Sequence, residues 1–199
     1  MDRTPGDQAL EPIYQPDTAA HSFAFQLYSW LQPIFFALAA LVIISTFFGR
    51  LIGVDGDSMY PTLHDRDMLV LQSIGYTPKG GDVVVLAPPT FRGGTPIVKR
   101  VIATGGQSVA IDYATGTVYV DGVALEEGYL GEAMRPASDQ YGTQYPVTVP
   151  EGRVFVLGDN RNASSDSRVP DIGMVDQRAI LGRVMWILMP FRDFGGIAK

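Results

Sequence analysis

The sequence contains no cysteine and only two histidines among its 199 residues. The absence of cysteine excludes disulfides, thiol nucleophiles, iron–sulfur clusters and thiolate zinc sites. Neither His21 nor His64 lies in a spacing typical of a metal motif, so we expect no metal and no cofactor. Charged residues make up only 18% of the chain, and the net charge is −6. We therefore expect no nucleic-acid partner, because neutralising phosphates requires a basic face.

The sequence also lacks the hydrophobic periodicity of a long amphipathic helix, whereas turn residues are frequent. The chain contains 22 glycines and 14 prolines, and 46% of its residues are hydrophobic. This composition excludes a disordered chain and a coiled coil. Frequent turns separate short hydrophobic segments, which predicts a mainly β fold. The segments predicted as strands are 68–72, 82–87, 95–103, 108–112, 117–121, 153–158 and 180–189.

One long apolar run precedes the predicted strands. Residues 30–48 carry no charge, and a membrane-spanning helix needs roughly 20 apolar residues. The residues before this run carry little positive charge, which is atypical of a cleavable signal peptide. We therefore predict a tail at 1–29, a transmembrane anchor at 30–50 and a β domain at 51–199. Within that domain, a segment at about 104–150 is expected to be inserted into the main sheet.

The candidate nucleophile is Ser58, in a turn rich in glycine and aspartate directly after the apolar run. Without cysteine, a serine nucleophile needs histidine or lysine as its base. His64 is nearby in sequence but has the flanking residues of a turn. Lys99 lies in a β-branched segment, where alternation puts it on one face with Ile97 and Val101.

The protonation state of Lys99 decides whether it can serve as the base. A lysine on an apolar strand face must either extend its ammonium group to water or lose its charge through a lowered pKa. A neutral Lys99 could accept a proton from Ser58, whereas a solvated one would not. The residues alone leave both alternatives open.

A second candidate segment, residues 154–168, combines a buried-type strand with a polar loop. Asp159, Arg161, Asp166 and Arg168 alternate in sign along that loop. Such regular mixing predicts an ion-paired, hydrogen-bonded loop that packs beside a functional site.

Four blocks in this order, after a single apolar span, resemble the type I signal peptidases, which are membrane-anchored Ser/Lys endopeptidases. The blocks are GDSMYPTL at 56–63, GDVV at 81–84, VKRVI at 98–102 and GDNRNASSDSR at 158–168. The resemblance covers roughly residues 30–190. It implies a signal-peptidase-like β fold with an N-terminal transmembrane helix.

The resemblance also implies residue roles. Ser58 would be the nucleophile, and its backbone N–H would contribute to the oxyanion hole. Lys99 would be the general base, and Ser164 would hydrogen-bond it. Gly56 stands where some members carry a hydroxyl side chain, so that oxyanion donor would be backbone or water.

Further expectations concern the supporting residues. Asp166 and Arg168 would form a structural ion pair, with Asp159 and Arg161 supporting the loop. Met59 and Pro61 are expected to contact the substrate. The segment 103–107 departs from the family's usual Gly-x-Pro-Gly-Asp, which affects the turn after the lysine.

For the biology, the resemblance implies secretory preproteins as substrates, cut after an Ala-x-Ala-type site. It also implies a lipid-bilayer environment, with the tail cytoplasmic and the β domain extracytoplasmic, and a monomeric enzyme. Other hypotheses are a self-cleaving repressor with a related dyad, an anchored binding domain without activity, and a hydrolase that uses Ser58 with His64. The repressors carry a DNA-binding helical domain in place of the apolar span.

Overall fold

The computed structural model describes residues 18–48, 50–136, 143–190 and 193–197. The chain divides into two compact units, at residues 1–43 and 44–199. The first contains most of a long helix, and the second contains the described strands. The mainly β fold expected from the turn-rich composition is confirmed.

Helix α1 (Thr18–Phe48) contains the apolar run. Its segment Phe25–Ile43 is long and apolar enough to cross a membrane by length and composition. The helix begins well before residue 30, so it includes the last part of the predicted tail. Residues 1–17 of that tail lie outside the described residues. A helix of this kind is compatible with membrane anchoring.

The described residues of the second unit form twelve strands, and a 3₁₀ helix (Gln177–Ala179) precedes the eleventh. The strands are β1 (Arg50–Gly53), β2 (Met68–Gln72), β3 (Val83–Leu86), β4 (Ile97–Thr104), β5 (Ser108–Asp112), β6 (Thr117–Val120), β7 (Val123–Ala124), β8 (Val147–Thr148), β9 (Arg153–Leu157), β10 (Val175–Asp176), β11 (Ile180–Met189) and β12 (Gly195–Gly196).

The strands form two antiparallel sheets. The larger has the order β1-β2-β11-β3-β4-β9-β10, with β12 paired to β11. The smaller has the order β7-β6-β5-β8. In the chain, the smaller sheet lies between β4 and β9, which are neighbours in the larger sheet. It therefore occupies the stretch for which the sequence suggested an insertion, at about 104–150.

All seven predicted strands are present, within two residues at each end. The five strands that the pattern did not predict are short, with two to four residues each. Segments this short show no alternation of their own, and their pairing depends on the neighbouring strand.

The hydrophobic core fixes the loop that follows β1. One cluster of buried side chains includes Met59 and Leu63 from this loop together with Leu69, Leu71 and Val85 from the larger sheet. Met59 is 1% exposed and Leu63 is 0% exposed. Burying these two side chains holds the intervening loop at a fixed position against the sheet.

A second cluster joins the two sheets. Ile102 of β4 and Phe155 of β9 pack with Val109 and Val118 of the smaller sheet. The smaller sheet is therefore tied through the core to the strand that carries Lys99.

Candidate active site

Ser58 lies in the loop of residues 54–67, between β1 and β2, which we call the serine loop. The loop is closed at its base because Val54 N–H donates to Asp67 O at 2.8 Å and Arg66 N–H donates to Val54 O at 2.9 Å. Gly56 has φ of +88°, a left-handed conformation that favours glycine. These features and the buried Met59 position the serine hydroxyl.

Lys99 reaches Ser58 from strand β4. Its Nζ lies 2.6 Å from Ser58 Oγ and donates to Val98 O at 2.8 Å. The lysine is only 2% exposed, so it does not extend its ammonium group to water. Of the two alternatives that the sequence left open for Lys99, the structure favours the desolvated one.

Burial lowers the pKa of Lys99 from 10.5 to about 8. Desolvation is the main cause, because it penalises the charged form. The carboxylates of Asp166 and Asp159 act in the opposite direction, and the guanidinium of Arg168 adds to the lowering. A substantial neutral fraction of Lys99 therefore exists slightly above neutral pH.

The polar loop of residues 158–168 packs directly on the serine loop, and we call it the support loop. Asn160 N–H donates to Ser58 O at 3.0 Å, and Asn160 Nδ2 donates to Asp57 O at 3.1 Å. Gly158 has no room for a side chain, since a Cβ there would lie 2.5 Å from Ser58 O and would overlap Ser164 Oγ. The approach of the two backbones thus requires glycine at 158.

Ser164 lies beside Gly158 but does not hydrogen-bond Lys99 in the structure. Its Oγ is buried and has no hydrogen-bond partner among the described residues. The lysine's hydrogen bonds go to Ser58 Oγ and Val98 O. The contact between Ser164 and Lys99 that the family resemblance implied is therefore not formed here.

Three buried arginines stabilise the support loop, each through a carboxylate. Asp166 and Arg168 are ion-paired, with Nε 2.8 Å from Oδ1, and Asp166 also accepts Gly158 N–H at 3.1 Å. Asp159 and Arg161, which the sequence grouped together, pair with other residues instead. Their partners are Arg100 and Glu127 respectively.

Sequence reasoning assigned no role to Arg100, Glu127 or Asn160. Arg100 could have been suspected, because alternation along β4 puts it on the face opposite Lys99. Asn160 was part of a matched block without a stated function. Glu127 carries no sequence signal, because its partner Arg161 lies far away in the chain.

A cleft of about 300 Å³ opens beside Ser58 and Lys99. Its lining is mostly apolar, with Asp55 and Arg92 as the charged residues besides Lys99. The lining residues are Ile52, Gly53, Val54, Asp55, Ser58, Met59, Val85, Phe91, Arg92, Thr95, Pro96, Ile97, Val98 and Lys99.

Two strand edges border this cleft. Among the described strands, β1 pairs only with β2, and residues 97–99 of β4 pair only with β3. Met59 lines the cleft, whereas Pro61 does not. Instead, a Cβ on Gly131 would lie 3.2 Å from Pro61 Cδ, so Pro61 packs against the chain near residue 131.

The backbone donors near Ser58 differ in availability. Gly56 N–H donates to Asp65 Oδ1 at 2.9 Å and is therefore occupied. Ser58 N–H has no acceptor within the described part of the chain. Only the second is free to stabilise a developing oxyanion.

Among the described residues, His64 makes no hydrogen bond to Ser58. Its side chain is 45% exposed and contacts the edge of the Tyr60 ring at a centroid distance of 5.5 Å. Together with Asp67 and Asp193, His64 forms a group of side chains near enough to share a metal ion, within 4.8 Å of one another. Asp67 already accepts His64 N–H at 2.8 Å, and none of the three lines the cleft.

Comparison with known proteins gives consistent matches. The family model described as signal peptidase, peptidase S26, matches residues 27–189. A protein named probable signal peptidase I-1 from Synechocystis is 37% identical over 155 residues, covering 73% of this chain and 74% of its own length. Signal peptidase I from Bacillus amyloliquefaciens is 35% identical over 173 residues, covering 83% and 87%.

Two further matches are a curated relative and a solved structure. Signal peptidase IB from Staphylococcus aureus is 33% identical over 184 residues, covering 85% of this chain and 93% of its own. Among solved structures, a signal peptidase I from Enterococcus faecalis is 34% identical, covers 54% of this chain and 97% of that chain, and superposes with a TM-score of 0.43.

Proposed function

Because the chain belongs to the signal peptidase family, peptidase S26, we propose that it cleaves with a Ser58/Lys99 dyad after an Ala-x-Ala-type site. The protein is a type I signal peptidase, a serine peptidase that removes signal peptides from exported preproteins. The dyad and the cleavage-site preference are the parts of this function that require a test.

One observation carries the dyad: a buried lysine nitrogen lies 2.6 Å from a serine hydroxyl. With its pKa lowered to about 8, neutral Lys99 accepts the Ser58 proton while Oγ attacks the carbonyl carbon of the scissile bond. The ammonium then donates this proton to the leaving amine, and an ester joins Ser58 to the signal peptide. Water hydrolyses the ester, again with Lys99 as base.

The backbone of Ser58 supplies the oxyanion donor in this proposal. Its N–H is free among the described residues, whereas Gly56 N–H is held by Asp65. Asn160 binds the Ser58 carbonyl at 3.0 Å and thereby orients the adjoining peptide units. A donor fixed before the reaction stabilises the tetrahedral intermediate without reorganisation.

The cleft is suited to an extended peptide with small side chains. The edges of β1 and β4 that have no partner among the described strands can hydrogen-bond a substrate main chain by strand addition. The cleft has a volume of about 300 Å³, and several substrate residues would have to fit into it together. Small substrate side chains such as alanine are therefore favoured over larger ones. Met59 lies in the lining of the cleft. Pro61 lies outside the lining and packs the serine loop against the chain near residue 131.

Helix α1 would hold the site at the membrane surface, where signal peptides emerge. We assign a single-pass topology in the cell membrane, with residues 1–29 cytoplasmic and the β unit from residue 51 extracytoplasmic. The bilayer is then the lipid partner, and the enzyme acts as a monomer. The apolar segment Phe25–Ile43 supports the span by its length and composition.

The test is cleavage of a preprotein with an Ala-x-Ala site by the full-length protein in detergent micelles. Mass spectrometry of the mature product identifies the cleaved bond. Ser58→Ala and Lys99→Ala are each expected to reduce kcat/KM by at least about 10³-fold. Lys79→Ala removes an exposed lysine and serves as the matched control.

His64→Ala distinguishes the dyad from the histidine hypothesis. It is expected to retain activity within about twofold, because the ring contacts Tyr60 and not Ser58. Loss of cleavage in His64→Ala, or cleavage retained by Ser58→Ala or Lys99→Ala, would overturn the dyad. Cleavage that tolerates leucine in place of both alanines would overturn the site preference alone.

A further inference from the structure

Residues 126–135, which we call the strap, follow β7 and contact both loops of the site. On the serine loop, the strap packs its Gly131 against Pro61. On the support loop, Asn162 Nδ2 donates to Ala133 O at 3.0 Å. The chain segment that joins strands of the smaller sheet therefore extends to the residues that hold Ser58.

Within the strap, Glu127 binds the guanidinium of Arg161 at two points. Arg161 Nη1 donates to Glu127 Oε2 at 2.9 Å, and Nη2 donates to Oε1. Tyr129 OH donates to the same carboxylate at 2.9 Å. The Arg161 side chain is 0% exposed and that of Glu127 is 9% exposed, so water does not replace the carboxylate easily.

Arg161 in turn holds the part of the support loop that fixes the serine. Its Nε donates to Gly158 O at 3.1 Å, and its carbonyl accepts from Arg168 Nη2 at 2.8 Å. Between these anchor points, Asn160 N–H donates to Ser58 O at 3.0 Å. A displaced Arg161 would therefore move the hydrogen bond that orients the Ser58 backbone.

We infer that Glu127 is a positioning residue for peptide cleavage, acting through Arg161 on the backbone of Ser58. The inference rests on the proposed function of Ser58 and Lys99. Glu127 is not part of the cleft lining, so it contacts neither the substrate nor the reacting atoms. Its loss should lower kcat and leave KM for the preprotein unchanged, because alignment of Oγ changes while the cleft does not.

The experiment compares Glu127→Ala and Glu127→Gln in full-length protein in detergent micelles, with the preprotein as substrate. Removing the carboxylate in Glu127→Ala is expected to lower kcat by about 10-fold to 100-fold, with KM within about twofold. Glu127→Gln keeps the shape and one acceptor and should fall between this variant and the natural protein. Glu126→Gln changes the exposed neighbouring glutamate and is the matched control.

A double-mutant cycle tests whether Glu127 acts through Arg161. The double variant Glu127→Ala/Arg161→Ala should match Arg161→Ala in kcat within about twofold. If the double variant instead shows the product of the two single effects, Glu127 acts independently and the inference is wrong. A merely structural role would not give this pattern together with an unchanged KM.

Near-UV circular dichroism establishes that each variant is folded, and Glu127→Gln carries the test if Glu127→Ala does not fold. If the folded Glu127 variants have the same kcat as the unsubstituted protein, the inference is wrong. Ser58→Ala in the same assay separates the two proposals. Cleavage by Ser58→Ala would refute the proposed dyad, whereas an inactive Ser58→Ala beside fully active Glu127 variants would refute only the role of Glu127.

Discussion

Two neighbouring cations on strand β4, Lys99 and Arg100, are both buried but have opposite electrostatic surroundings. Arg100 is 0% exposed and donates to both oxygens of the Asp159 carboxylate, at 2.8 and 2.7 Å. Lys99 is 2% exposed, and its nitrogen contacts a hydroxyl and a carbonyl, which are both neutral. Among the described residues, no carboxylate lies within ion-pair distance of it.

The difference explains how one strand supplies both a base and a scaffold. A cation buried without a counterion is penalised in its charged form, which makes it a proton acceptor near neutral pH. A cation buried with a carboxylate holds two chain segments together, and either partner alone would be destabilising. Arg161 and Arg168, paired with Glu127 and Asp166, follow the second pattern.

The largest effect on activity is expected when Lys99 is replaced by methionine. Lys99→Met removes the base and should lower kcat/KM by at least about 10³-fold. The lowering of its pKa from 10.5 to about 8 corresponds to about 3 kcal/mol against the charged form in the fold. Lys99→Met should therefore raise the free energy of unfolding at pH 7 by about 1–3 kcal/mol.

Urea denaturation in detergent at several pH values measures this gain. In the natural protein the unfolded chain binds the proton of Lys99 more tightly than the folded chain. The free energy of unfolding of the natural protein should therefore rise with pH between about 8 and 10.5. This part of the pH dependence should be absent in Lys99→Met. A loss of stability in Lys99→Met at pH 7 would contradict the absence of a counterion.

Replacing Arg100 by methionine should have the opposite outcome on stability. Arg100→Met leaves the carboxylate of Asp159 buried and without its guanidinium, which is expected to destabilise the fold by about 3–5 kcal/mol. The double variant Arg100→Met/Asp159→Asn should recover part of this loss in urea denaturation. A loss below about 1 kcal/mol for Arg100→Met would show that the pair is not a structural connection.

Replacing Asp166 should shift the pH dependence of cleavage. In the natural protein kcat/KM should rise with pH and level off above about 8, as Lys99 becomes neutral. The Asp166 carboxylate raises the pKa of Lys99, so Asp166→Asn should move this midpoint to lower pH. A midpoint that stays in place or moves to higher pH would show that kcat/KM reports another group.

The smallest effect is expected at an exposed ion pair. Arg178 pairs with Asp176 on the surface, and its side chain is 91% exposed. Because surface pairs contribute little, Arg178→Ala should leave the urea midpoint and kcat/KM unchanged within experimental scatter. A clear loss in either measurement would mean that burial is not what separates structural arginines from the rest.

The sequence predicted the larger part of the sheet because those strands carry their own pattern. Residues 68–72 and 180–189 are mostly apolar segments of strand length, and the structure has strands at these positions. The strands β7, β8, β10 and β12 have two residues each and no pattern to detect. Their existence depends on an adjacent strand, which is a property of the folded chain.

The site was predictable where residues form a local motif and unpredictable where distant segments meet. Matching blocks identified Ser58, Lys99 and the loop with Asp166, and the family membership they implied is confirmed. The partners Arg100–Asp159 and Glu127–Arg161 join segments far apart in the chain. No composition or spacing indicates which carboxylate an arginine will meet, because that depends on how β4, the strap and the support loop pack in the folded chain.

The most direct test of the account is the titration of Lys99 itself. The chain has only three lysines, Lys79, Lys99 and Lys199, so ¹³Cε labelling of lysine in the full-length protein gives three signals. Lys99→Met identifies the one of interest. The account predicts that this signal titrates with a pKa of about 8, below the ordinary lysine value of 10.5. A Lys99 signal that titrates near the ordinary lysine value of 10.5 would contradict the central claim.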